Sequence, residues 1–215
     1  MTERTPRMTR VLPGFEDINR YWDRTRLSMA AKVLPGEFYV SAQDEFVLTT
    51  LGSCVSACIW DPVVGVGGVN HFMLPEPVEG FEVDLKRPNE ATRYGIFAME
   101  FLINGILQNG GKRARLRAKI AGGGRVLRHT TDIGERNIAF VRQYLITESL
   151  QLVGEHLGGD LPRKLCFHPL TGQAQIKVLD NMANTTLAER EKNYVADLAR
   201  GPQPGLVEIF DVSRP

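Results

Sequence analysis

Apolar positions along this chain fall into short β-like runs and two stretches with helical spacing. Residues 37–40 (Glu-Phe-Tyr-Val) and 46–50 (Phe-Val-Leu-Thr-Thr) are rich in aromatic and β-branched side chains and predict strands. Residues 54–60 and 66–74 predict two more, joined by the turn signal Asp61-Pro62 into a hairpin. Between 75 and 88 the composition shifts to Pro, Glu and Gly, which predicts a surface loop. Ile96, Met99, Phe101, Leu102, Ile103 and Ile106 form an apolar stripe that predicts a helix over 90–108, stopped by Gly110-Gly111. A strand is expected at 116–121, leading into Gly122-Gly123-Gly124. A second helix is expected at about 134–149, with Ile138, Val141, Tyr144 and Leu145 on one face. Strands return at 165–168 and 175–179 around the turn Thr171-Gly172. Spaced Leu187, Tyr194, Val195 and Leu198 predict a peripheral helix at 184–199, and a short apolar run at 206–210 follows. Helices and strands mix without strict alternation. The expected fold class is therefore α+β, a layered α/β sandwich with a mixed, mostly antiparallel sheet packed against helices.

Residues 1–36 read as an N-terminal extension, in which Arg4, Arg7, Arg10, Arg20, Arg24 and Arg26 are interleaved with Phe15, Ile18, Tyr21, Trp22 and Leu27. The spacing of Ile18, Tyr21 and Trp22 predicts one short amphipathic turn, packed on the chain's own domain. The expected organisation is an extension at 1–36, a domain at 37–180 and a C-terminal helical extension at 181–215. A length of 215 residues, 43% hydrophobic and 24% charged, is ordinary for a soluble domain with extensions. A net charge of +1 supplies no general attraction to nucleic acid or to a membrane. No apolar run approaches the roughly 20 residues that span a bilayer, and the basic first ten residues lack a secretory apolar core. Three cysteines, Cys54, Cys58 and Cys166, argue for free thiols in a reducing compartment, so a cytoplasmic location is expected.

Chemistry concentrates at Leu51-Gly52-Ser53-Cys54-Val55 and at Val69-Asn70-His71-Phe72-Met73. A thiol nucleophile acts as thiolate and needs a base or a positive dipole nearby. Gly52 permits a tight turn, which would expose Cys54 and leave backbone N–H groups for an oxyanion. In an extended segment Cys54, Ser56, Cys58 and Trp60 share one face, and His71 shares its own with Val69 and Met73. Pairing through the Asp61-Pro62 turn permits the imidazole to approach the thiol, although sequence does not define the register. The bland reading is a small buried hydrophobe and a hydrogen-bonded structural histidine. Along a strand Cys54 and Cys58 lie roughly 13 Å apart, too far for a disulfide. Cys54, Cys58 and His71 are too few and too loosely spaced for zinc, and no metal or cofactor is expected. His129, His156 and His168 rank lower as candidates. Gly122-Gly123-Gly124 lacks the lysine and spacing of a nucleotide loop and reads as a closely packed strand end.

Taken together, these segments resemble the chemoreceptor glutamine deamidases of the CheD family of bacterial chemotaxis. The resemblance rests on Leu51-Gly52-Ser53-Cys54-Val55, Gly67-Gly68-Val69-Asn70-His71-Phe72-Met73-Leu74-Pro75 and Lys119-Ile120-Ala121-Gly122-Gly123. It continues through Ile133-Gly134-Glu135-Arg136-Asn137 and Gly158-Gly159-Asp160-Leu161-Pro162-Arg163-Lys164, over about residues 37–180. The resemblance implies that Cys54 is the nucleophile, His71 the general base, and Gly52 and Ser53 part of the oxyanion loop. It also implies a threonine shortly before the cysteine as third member. Thr49 is preferred over Thr50, and because neighbours in a strand point to opposite faces only one of them can reach His71. The implied activity is deamidation of glutamines on the cytoplasmic domains of methyl-accepting chemoreceptors, with a CheC-type phosphatase as a further partner. Two other classes remain open: a non-catalytic module that binds receptors or such a phosphatase, and a generic papain-like amidase.

Overall fold

The computed structural model describes residues 10–76, 91–126 and 133–179. Among the described residues, two five-stranded sheets and two α-helices build three layers. The first sheet has the order β1 (Asn19–Asp23), β2 (Ser28–Lys32), β4 (Glu45–Leu51), β9 (Arg163–His168), β10 (Gln173–Val178). The second has the order β3 (Phe38–Ser41), β6 (Val66–Asn70), β5 (Val55–Asp61), β7 (Arg117–Gly122), β8 (Gln151–Leu157). Pairing is antiparallel except for β2 with β4 and β7 with β8. Helices α1 (Gly95–Gln108) and α2 (Ile133–Thr147) cover the outer face of the second sheet. The architecture is the layered α+β expected from the sequence, with the sheet layer doubled.

Coverage on both faces explains why β5 is buried along its whole length. Val55, Ala57 and Ile59 join Phe72 beneath Met99, Leu102, Ile103 and Ile106 of α1 and Val141 and Leu145 of α2. The alternate positions Cys54, Cys58 and Trp60 pack between the sheets against Val47, Leu51, Leu165 and Phe167. Strand alternation thus divides one run into two cores. The hairpin turn is closed by the Gly65 N–H on the Asp61 carbonyl (3.0 Å), with Gly65 at φ +66°. The Asp61 carboxylate accepts from Arg115, the Val63 and Val64 N–H groups and the Lys112 N–H. Burial alone would raise its pKa, but these donors outweigh it and bring it down to about 2.

Two expectations are corrected, and the strands β2 and β8 add to them. The segment holding Ile18, Tyr21 and Trp22 is not a helical turn: residues 19–23 form β1, paired antiparallel to β2. Its aromatics favour a strand, and β2 continues into the sheet by pairing with β4, a long-range contact invisible to local periodicity. The helix expected over 90–108 starts at Gly95, because Tyr94 is extended and bridges Leu74. Strand β8 was not anticipated; its largely exposed, polar sequence shows little alternation, and parallel pairing to β7 holds it. The expected loop lies mostly outside the described residues, as do His129, the helix at 184–199 and the run at 206–210.

The sheets are also joined by a buried polar cluster. Glu45 of β4 accepts from Tyr39 (2.6 Å) and Ser41 (2.5 Å) of β3 and pairs with Arg20 of β1 (2.7 Å), with the Glu45 and Arg20 side chains 0% and 3% exposed. Replacing one member of a buried pair is far more damaging than losing a surface contact. Glu45→Ala is expected to cost about 3–5 kcal/mol of stability, measured as a fall in urea midpoint. A cost under about 1 kcal/mol would show that the cluster contributes no more than a surface pair.

Candidate active site

Strand β5 is preceded by Gly52, Ser53 and Cys54, and the bonds around these residues place the thiol. The Gly124 N–H donates to the Gly52 carbonyl (2.7 Å) and the Gly123 N–H to the Cys54 carbonyl (2.8 Å). Such contact requires glycine at 122, where φ is +119° and a Cβ would lie 2.1 Å from the Cys54 oxygen. The antiparallel register Cys58↔Val69 and the bridge Val55↔Phe72 set Ser56 opposite His71 and Cys54 opposite Met73. Cys54 and His71 are therefore diagonal neighbours on one face, the face turned to the first sheet. Diagonal partners stand within reach of long side chains.

The backbone of His71 is held by strand β3's entry: its N–H donates to the Glu37 carbonyl (2.9 Å) and its carbonyl accepts from Gly36 (2.8 Å). Asn70 ends β6 by taking the Ala57 N–H on its own side chain (2.8 Å). From the opposite sheet, Thr49 reaches across and lies 2.7 Å from His71 Nδ1. The same hydroxyl lies 2.8 Å from the Val33 carbonyl, which can only accept. A hydroxyl has one proton, so Thr49 donates to Val33 and accepts from Nδ1–H. His71 Nε2 then carries the lone pair, and it has no hydrogen-bond partner among the described residues. Burial pushes the His71 pKa down to about 3, so the ring is neutral at ordinary pH. Thr50 points to the other face of β4 and is half-buried.

Cys54, His71 and Thr49 are 2%, 2% and 3% exposed, so the group lies inside the inter-sheet layer. Cys58 shares that layer, but full burial raises its thiol pKa strongly and leaves it a hydrophobe. None of the three cysteines forms a disulfide. Among the described residues no three His, Cys, Asp or Glu side chains group as metal ligands. His156 lies against Arg163 (2.9 Å) and His168 against Asp44 (2.9 Å), on other parts of the sheets.

Two further residues brace this region without having stood out in the sequence. Arg163 is buried, donates to the carbonyls of His156, Gly158 and Leu161, and so folds the Gly158-Gly159 turn toward Gly124. Asn137 of α2 is wholly buried and donates to the carbonyls of Ser53 and Met73. Gly134, Asn137, Val141 and Leu145 form the buried face of α2, and a carboxamide there needs partners.

Fold and site together define a layered α+β protein with a thiol and an imidazole on one buried face and a threonine orienting the ring. The chain belongs to the CheD family. The family model described as CheD chemotactic sensory transduction matches residues 73–178. A protein of Halorhodospira halophila named "probable chemoreceptor glutamine deamidase CheD" is 49% identical over 207 residues, covering 93% of each chain. Proteins of the same name from Saccharophagus degradans and Methylobacillus flagellatus are 47% and 51% identical, covering 95% and 89% of this chain and 95% of each of theirs. Among the described residues no helix is long and apolar enough to cross a membrane.

Thr49→Val keeps the shape and leaves the Val33 carbonyl and His71 Nδ1–H buried without this hydroxyl. The expected cost is about 1–3 kcal/mol, read from thermal or urea unfolding, with Thr49→Ser close to the parent. The pH dependence follows from His71, whose pKa is lowered from 6.5 to about 3 in the folded chain. Between those values the unfolded chain binds the extra proton, so stability is full above 6.5 and is lost as pH falls toward 3. A His71→Gln variant should show a flatter stability profile across that window in urea titrations at a series of pH values. An unchanged slope would mean that His71 does not titrate this way.

Proposed function

We propose that this protein deamidates glutamine side chains on the cytoplasmic domains of chemoreceptors, in the cytoplasm, through a Cys54 thioester. Three residues carry the chemistry. His71 Nε2 takes the Cys54 proton, and the thiolate attacks the carboxamide carbon, converting C=O to an oxyanion held by backbone N–H groups around Gly52, Ser53 and Cys54. Collapse of that intermediate breaks the C–N bond. The proton on His71 goes to the departing nitrogen, which leaves as ammonia. Water then loses a proton to the same Nε2 and attacks the thioester carbon. The second collapse breaks the C–S bond, returns the proton to sulfur and leaves glutamate. Thr49 keeps Nδ1 protonated throughout, so that Nε2 is always the working nitrogen.

The observation that supports this reading most is the pair of bonds on Thr49, to Val33 and to His71, which leaves Nε2 as the unprotonated nitrogen of a residue diagonal to Cys54. The names of the relatives supply the substrate class. Protonating His71 in a buried layer is costly alone, but a thiolate beside it offsets much of that cost, as in other Cys–His sites.

Mass spectrometry of a co-expressed receptor cytoplasmic domain tests the reading. Gln-to-Glu conversion adds about one dalton and should appear with the parent chain and vanish with Cys54→Ala; both rest on the Cys–His acyl-transfer scheme. Undiminished conversion with Cys54→Ala would overturn the assignment. A Cys54→Ala chain that keeps every signalling effect, with no ammonia from the parent, would instead mark a module that binds receptors or a CheC-type phosphatase. Hydrolysis of free glutamine or small amides would point to a general amidase.

A further inference from the structure

The loop that carries Cys54 presents three consecutive peptide planes. The carbonyl of Gly52 is held by Gly124 N–H and that of Cys54 by Gly123 N–H, both backbone contacts from the end of β7. The plane between them, Ser53–Cys54, is engaged by a side chain: Asn137 Nδ2 lies 3.2 Å from the Ser53 carbonyl and 2.8 Å from the Met73 carbonyl. Both acceptors are carbonyls, so the amide nitrogen of Asn137 must face them and Oδ1 must face away. That Oδ1 is buried and has no hydrogen-bond partner among the described residues. A side chain present for packing alone would be apolar here, since desolvating an unmatched acceptor is unfavourable. The two donated bonds are what the carboxamide contributes.

Peptide units are planar and trans, so the N–H of Cys54 points opposite to the carbonyl of Ser53. Whatever holds that carbonyl aims that N–H. Met73, the second acceptor, stands opposite Cys54 in the register and two residues beyond His71. One carboxamide therefore ties the nucleophile's own peptide to the strand that carries the imidazole. Its anchor is α2, whose Gly134 packs against Gly123 so closely that a Cβ would lie 2.7 Å from the Gly123 oxygen.

Resting on the acyl-transfer reading above, we propose that Asn137 is a positioning residue: it orients the Ser53–Cys54 peptide so that the Cys54 N–H meets the oxyanion formed during deamidation. Asn137 acts through the backbone.

The test uses the full chain with Asn137→Ala and the isosteric Asn137→Asp, each checked for folding by circular dichroism. Ammonia release from a glutamine-bearing receptor fragment gives kcat and KM, and iodoacetamide labelling of Cys54, followed by peptide mass spectrometry across pH, gives thiol reactivity. Loss of an aimed oxyanion donor should lower kcat about 100-fold with KM nearly unchanged. Labelling should keep the parent's rate and pH profile, because alkylation forms no oxyanion. If Asn137→Ala fails to fold, Asn137→Asp preserves the volume and replaces the amide nitrogen that serves both carbonyls with a carboxyl oxygen. A folded variant with kcat within about threefold of the parent, well short of the loss of a donor, overturns the proposal. So does labelling that changes in step with kcat, which would mark a general loosening. A parent chain that releases no ammonia removes the deamidase reading itself, and is told apart from the other outcomes because it needs no variant.

Discussion

Burial of β5 and β6 on both faces is the constraint on which the rest of this structure depends. Helices cover one face and a second sheet the other, so no side chain on these strands has ready access to water. Polar groups in such a layer must find partners in neighbouring elements or pay the full desolvation cost. Asn70 meets Ala57, Glu45 meets Tyr39, Ser41 and Arg20, and His71 meets Thr49 across the gap between sheets. The same dryness pushes the imidazole toward neutrality and leaves one ring nitrogen free of protons. Structure and chemistry therefore share a cause: the layer that excludes water also makes a single His–Thr bond sufficient to select a tautomer.

Glycines provide the second condition, close backbone approach. Gly122, Gly123 and Gly134 let the end of β7, the Cys54 loop and the first turn of α2 converge at distances no side chain could enter. Three carbonyls in a row at Gly52, Ser53 and Cys54 are engaged as a result, which orients the intervening peptide planes. Arg163 adds a buried guanidinium that gathers the carbonyls of the neighbouring turn, its charge disfavoured by burial and balanced by those acceptors.

Legibility varied with the range of the forces involved. The hairpin, both helices and the strands around Cys166 were readable because each carries its own periodicity and turn chemistry. Strands β1, β2 and β8 were not. Met29-Ala30-Ala31 is buried yet lacks alternation, and Ala is a poor strand former; β8 is mostly exposed and owes its form to β7. The site divides in the same way. Gly52, Ser53, Cys54 and His71 stood out as residue types at suggestive spacing, and the face shared by Cys54, Ser56 and Cys58 follows from alternation alone. Asn137 drew no role, because a buried asparagine shows its use only when the carbonyls it meets are in place.

By itself the sequence determined the kinds of element outside β1, β2 and β8, the mixed α+β class, the family and the residues among which a thiol, a base and a third member had to be sought. It also determined that Thr49 and Thr50 face opposite ways, since alternation is a property of the extended backbone. Which of them meets His71 was decided by tertiary structure, through the packing of β4 in one sheet against β6 in the other. Sheet-to-sheet packing joins residues 22 positions apart by a contact that no local pattern encodes. The tautomer of His71, the burial of the whole group and the grip of Asn137 on the Cys54 loop are consequences of that same packing.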